Sequence, residues 1–402
     1  MKKLKLGLLP KILIAIVLGI GLGLAFEYFN QGHTWETSPY EIVVRTFVTI
    51  NGIFSQFLGF AIPLIILGLV TKAIADIGNK AGKMLLITVL IAYGSTVFAG
   101  LVSYMTGASL FPSMIQTGTK LTEVTEAEAL IPFFEVNIPP LMGVMTALVL
   151  SFTLGLGLAS TQNETLMKVT HGFEEIIVKT IKTAIIPVLP LYIFGIFLNM
   201  AYAGTVFSIL NVFIKIIGII FLIHIGILLL QFCIAGAIAR KNPFKLLWNM
   251  MPAYFTALGT QSSAATIPVT LEQTRKNGVS EGVAGFCIPL CATIHMSGST
   301  LKIVACALAL MIMQGMPYSF GMFAGFICML GITMVAAPGV PGGAIMASLG
   351  LLSGMLGFDA DAQALMIALY IAMDSFGTAC NVTGDGAIAV IIDRITSDSK
   401  SE

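Results

Sequence analysis

Charge is scarce in this sequence. Asp, Glu, Lys and Arg make up 10% of the 402 residues, where a soluble domain carries about a quarter. With a hydrophobic share of 57% and a mean hydropathy of +0.95, that scarcity excludes a water-soluble chain and points to an integral membrane protein. A net charge of +1 leaves no basic surface for a nucleic-acid partner. The six cysteines (Cys233, Cys287, Cys291, Cys306, Cys328, Cys380) lie in apolar stretches without metal-type pair spacing and read as packing residues. No Ser/His/Asp set, HExxH or P-loop occurs, so neither an enzyme nor a nucleotide-driven pump is expected, and no cofactor is implied.

What the sequence has in quantity is apolar run. Spans are expected over 11–27, 46–73, 84–106, 138–160, 176–202, 206–238, 282–312 and 362–392. The opening MKKLKLGLLPKILIAIVLGIGLGLAF has the flank and apolar run of a signal peptide, but no small-x-small cleavage site follows, so it reads as an uncleaved first helix. Lys2, Lys3 and Lys5 precede the first span; Lys72, Lys80 and Lys83, then Lys168, Lys179 and Lys182, then Arg240, Lys241 and Lys245 fall on the same side, while 120–128, KLTEVTEAE, is acidic and opposite. Positive-inside counting therefore places both termini in the cytoplasm, for a multi-pass protein of the cytoplasmic (inner) membrane.

Two stretches do not read as spans. Residues 243–275 are broken by GTQSS and Pro268 between basic flanks, and 319–358 place apolar arms around AAPGVPGGA before Asp359 and Asp361. Each arm is marginal for a crossing, so both are expected to be re-entrant hairpins, the first entering from the cytoplasm and the second from outside. Oppositely oriented breaks of this kind mark inverted-repeat transporters that bind cargo near the midplane. The seventh span carries its own interruption at 291–300, CATIHMSGST, where free backbone groups can bind ions.

Asp374, Thr378, Asn381 and Asp385 are spaced four, three and four, and so share one helical face. Ionisable groups at membrane depth usually mark a substrate or ion path. The two carboxylates cannot act as an aspartic-protease dyad, because eleven residues of helix separate them by roughly 16 Å.

These motifs together resemble the dicarboxylate/amino acid:cation symporter family. The resemblance rests on TQSSAATIPVTLEQTRKNGVSEG, IPLCATIHMSGST, APGVPGGAIM and DSFGTACNVTGD, in that order over 252–394. It implies an all-α membrane protein of about eight transmembrane helices plus two hairpins, with the glutamate-transporter elevator fold, assembled as a homotrimer in contact with membrane lipid. It further implies a scaffold (1–80 and 111–205), a sliding transport domain (81–110 and 206–394) and a cytoplasmic tail (395–402). By the same resemblance Asp374 binds a substrate amino group. Ser262, Ser263, Met296, Ser299, Val340, Gly377, Thr378 and Asn381 complete the substrate site. Cys291, Thr293, His295, Asn381 and Asp385 are implied as sodium ligands, and Ser95, Thr96, His295 and Ser297 as an altered cation or proton site.

The departures from the family pattern carry the expected specificity. Gly377 stands where acidic-substrate members have an arginine, Gln261 stands where some have another, and no further Arg or Lys is expected at mid-span in the transport domain. An unpaired second carboxylate would be costly to bury. The expected cargo is therefore a neutral amino acid, serine, threonine or alanine first and larger or sulfur-containing ones second, with Gly377 leaving room for its side chain. His295-Met296-Ser297-Gly298-Ser299 replaces the family's Asn-Met-Asp-Gly-Thr, so one sodium site is expected to be weakened. His295 then admits two readings, a proton carrier in place of that sodium or a neutral imidazole filling its volume.

Overall fold

The computed structural model describes residues 8–30, 38–79, 83–115, 130, 132–204, 206–337 and 342–398, and these are almost wholly helical. The first half consists of long apolar helices: α1 (Leu8–Asn30), α2 (Pro39–Asn79), α3 (Lys83–Met114), α4 (Val144–Thr161), α5 (Glu164–Tyr202, with a wider π turn at Ile181–Ile185) and α6 (Val206–Ala239). Their outward faces expose Val17, Leu18, Leu90, Val149, Ile214 and Leu222, a surface suited to lipid. α1 lies along the second half of α5, and α2 packs on α4 and α5. Gly19 and Gly23, four residues apart, make the first contact possible: a Cβ would come within 2.7 Å of the Phe194 carbonyl at Gly19 and 2.5 Å of the Leu198 carbonyl at Gly23.

The second half is built of broken helices. α7 (Pro243–Asn249), α8 (Met251–Thr260) and α9 (Ser263–Lys276) form the first expected hairpin. Its arms of 10 and 14 residues reach about 15 and 21 Å, well short of a hydrocarbon layer of about 30 Å. The chain reverses at Gln261, in the left-handed region at φ 53°, and Ser262 caps α9 by accepting from the Ala265 N–H at 3.3 Å. The seventh span is interrupted where expected, between α10 (Glu281–Ile294) and α11 (Ser297–Met313). α12 (Phe320–Val335) and α13 (Gly343–Leu356) are the arms of the second hairpin; Val340, at its tip, lies outside the described residues.

Two expected spans are corrected. The span expected over 138–160 becomes helical only at Val144, because Pro139 and Pro140 lack backbone donors and push their predecessors to extended conformations. The span expected over 362–392 is two helices, α14 (Ala360–Ala372) and α15 (Asp374–Asp398), parted at Met373. Every residue of α11 is buried, with α3, α6, α14 and α15 packed around it. This buried pillar holds the site.

Candidate functional site

Three half-helix N-termini converge on the start of α15. Gln261, at the turn before α9, donates to the Ser375 hydroxyl at 3.0 Å. The N–H of Gly342, just ahead of α13, donates to Asp374 Oδ2 at 2.8 Å. The first N–H groups of α11, at Gly298 and Ser299, both donate to Asn381 Oδ1, at 2.8 and 3.3 Å. Each such end carries N–H groups that have no partner within their own helix and partial positive charge, so their convergence favours a carboxylate.

Asp374 opens α15 and Asn381 lies two turns further along, both buried. Asn381 donates to Ser299 Oγ at 3.1 Å and to Met296 Sδ at 3.6 Å, and Tyr370 of α14 donates to the same Ser299 oxygen at 3.1 Å. Thr378 donates to the Asp374 carbonyl one turn back at 3.0 Å. Asp374, Asn381, Thr378, Met296 and Ser299 are thus assembled in one buried cluster, with Ser263 buried at the hairpin tip nearby.

The expectation of no other mid-span cation is wrong. Lys302, on α11, is 1% exposed and reaches into this cluster. Its Nζ donates to the Met373 carbonyl at 3.1 Å, lies 3.7 Å from Asp374 Oδ1 and sits 3.9 Å from the centre of the Tyr370 ring. The expectation that Gly377 leaves room for cargo fails with it. A Cβ at Gly377 would collide with Lys302 Cε and Nζ, so the lysine already fills that space. The signal was in the sequence, since Lys302 is the sole charged residue over 282–312.

A second polar group lies one turn further along α15. His295, in the break between α10 and α11, faces Asp385 with Nδ1 2.9 Å from Oδ1, and its Nε2 is 3.1 Å from Ser95 Oγ on α3. Gln231 of α6, which the sequence motifs did not single out, donates to Ser95 Oγ at 3.0 Å and to Ser297 Oγ at 3.2 Å. An ionised Asp385 requires the proton of His295 on Nδ1. Because Gln231 already donates to Ser95, the Ser95 hydroxyl has its own proton to give to Nε2. With Asp385 ionised, an imidazole protonated on Nδ1 and accepting from Ser95 at Nε2 satisfies every bond of this chain. Two buried oxygens stay without a hydrogen-bond partner here, Asp385 Oδ2 and Gln231 Oε1. Such acceptors suit a cation or a proton.

The remaining expected ligands are placed unevenly. Thr96 accepts from the Met296 N–H at 3.3 Å and so braces the break, and the Cys291 carbonyl accepts from the His295 N–H at 2.9 Å. The Thr293 hydroxyl turns back to the Leu290 carbonyl at 2.7 Å on an exposed face, away from Asp385.

Comparison with known proteins concerns the chain as a whole. The model of the sodium:dicarboxylate symporter family matches residues 8–395. The serine/threonine transporter SstT of Acinetobacter baumannii strain AYE is 26% identical over 415 residues, covering 97% of each chain. Human excitatory amino acid transporter 2 is 34% identical over 188 residues, 46% of this chain and 31% of that protein. The neutral amino acid transporter B(0) of Rattus norvegicus is 29% identical over 160 residues, 39% of this chain and 29% of that one.

Proposed function

The chain belongs to the sodium:dicarboxylate symporter family, a family of membrane transporters, and from that membership we propose that it imports a neutral amino acid together with one cation bound at Asp385. The observation that carries the coupling is the buried Asp385 itself, one oxygen on His295 and the other without a partner. A carboxylate left so at membrane depth costs at least a few kcal/mol, and a bound cation removes that cost.

The cargo follows from charge balance at the other cluster. Asp374 suits an ammonium, and the gathered helix N-termini with Ser262 and Ser263 suit a carboxylate. Lys302 and Asp374 cancel, so a zwitterion adds no net charge, while a second carboxylate would stand in excess. Serine, threonine or alanine are favoured, in keeping with the name of the relative SstT. Sodium is the favoured ion. The elevator division into scaffold and transport domain, the homotrimer and the inner-membrane orientation with cytoplasmic termini belong to the same proposal.

A proton is the second reading, favoured by the hydrogen-bonded path from Gln231 through Ser95 and His295 to Asp385. Uptake of labelled L-serine into proteoliposomes, under an inward sodium gradient or an inward proton gradient, separates the two. Sodium-driven uptake that survives His295→Gln and resists excess L-aspartate is the expected result. Uptake following only the proton gradient and lost in His295→Gln would assign the ion site to a proton. Blockade by L-aspartate would overturn the neutral cargo, and retained serine affinity in Asp374→Asn would remove that residue from the amino-group site.

A further inference from the structure

One buried cation has so far entered only the charge balance of the site. The Lys302 ammonium has three N–H donors, and three acceptors surround it: the Met373 carbonyl, Asp374 Oδ1 and the face of Tyr370. Of these the carbonyl is the hydrogen bond, at 3.1 Å; at 3.7 Å the carboxylate is an ion-pair partner beyond hydrogen-bond reach. The lysine is anchored beside Asp374 and leans toward it. Its stem passes α15 at Gly377, the position whose missing Cβ makes the path. Packing does not explain the residue, because a buried ion pair is commonly no more stable than apolar side chains of the same volume. Nor does helix capping, since the Met373 carbonyl already accepts from the Phe376 and Gly377 N–H groups at 3.1 and 3.2 Å.

We propose that Lys302 is a tethered ammonium that neutralises Asp374 in the unloaded transporter and yields it to the amino group of the cargo. The proposal rests on the symport reading, in which Asp374 receives that amino group. Its first consequence concerns cargo class. An α-amino acid brings an ammonium to exchange for the lysine's, whereas the matching 2-hydroxy acid brings none and leaves Lys302 in place. Its second concerns the cycle. With Asp374 covered, the empty site carries one unpaired carboxylate, Asp385, rather than two, which lowers the cost of returning unloaded across the membrane, so the protein need not exchange cargo for cargo.

The test uses the full-length protein in proteoliposomes with labelled L-serine, in two modes: net uptake into empty vesicles, and exchange into vesicles preloaded with unlabelled L-serine. The variants are Lys302→Gln, which keeps a donor for the Met373 carbonyl and drops the charge, and Lys302→Met, which keeps the volume. Both are expected to lose net uptake by about tenfold or more while exchange continues, and to bind L-serine more tightly because its competitor is gone. Unchanged net uptake would overturn the proposal, as would loss of both modes together in a monodisperse variant. A wild-type measurement stands beside these should neither variant fold: L-glycerate, the hydroxy-acid counterpart of serine, is expected not to compete at hundredfold excess, and competition equal to that of L-serine would overturn the exchange of ammonium groups. Absence of uptake by the wild type of L-serine, L-alanine or L-threonine would be a failure of the symport reading itself, told apart by its independence of Lys302.

Discussion

Gly298 and Gly377 face one another where α11 crosses α15, and the atoms their missing Cβ groups would meet assign them different work. At Gly298 a Cβ would come within 2.5 Å of both Cys380 Cβ and the Gly377 carbonyl, so the two helices would have to part. Gly298→Ala is expected to cost about 1–3 kcal/mol, read as a lowered melting temperature in detergent. At Gly377 the atoms met are the far end of a flexible lysine, which can swing aside. Gly377→Ala is therefore expected to shift melting little and to reproduce the Lys302→Gln behaviour, with net uptake reduced and exchange kept. An arginine at this position would meet the lysine directly and put two cations in space shaped for one, so Gly377→Arg is expected to admit acidic cargo only when Lys302 is also removed.

The helix breaks show how far the sequence could be read at the level of elements. The first hairpin and the interruption at 291–300 were legible because Gly, Ser, Thr and Pro collect inside apolar runs. The carboxylate stripe was legible from its spacing, and its four members do share α15. The break at Met373 was not, because LYIAMDSFG has neither proline nor glycine at the break, and the groups that hold its two sides come from elsewhere in the chain: Lys302 from α11 and the Gly342 N–H ahead of α13. The one local sign was Asp374, an acidic residue suited to the first turn of a helix. Ser299 ties the same elements, its hydroxyl oxygen accepting from Tyr370 of α14 and Asn381 of α15. Ser299→Ala would strand two buried donors, at about 1–3 kcal/mol each. Tyr370→Phe removes one of those donors, so the double variant should lose less stability than the two single losses added, and a strictly additive result would show that the three residues are not one network.

Charge over the whole molecule determines how transport responds to membrane potential. Under the proposed symport the loaded site holds Lys302, Asp374, a zwitterionic cargo, the coupling cation and Asp385, whose charges sum to zero, so nothing net would cross. After cargo and cation leave, Lys302 still covers Asp374 while Asp385 stands alone, so the return step carries one negative charge outward. On that proposal each cycle brings one positive charge in, and an inside-negative potential is expected to drive accumulation. At 100 mV one charge is worth about 2.3 kcal/mol, or about fifty-fold accumulation of cargo. Asp385→Asn removes both the returning charge and the cation it attracts, and with Lys302 still in place the empty site remains neutral. That variant should still equilibrate L-serine across the vesicle, without accumulation and without response to a potassium diffusion potential set by valinomycin. Accumulation by Asp385→Asn under either gradient would move the coupling ion away from Asp385; wild-type accumulation indifferent to potential would mean that a compensating charge moves with the empty protein.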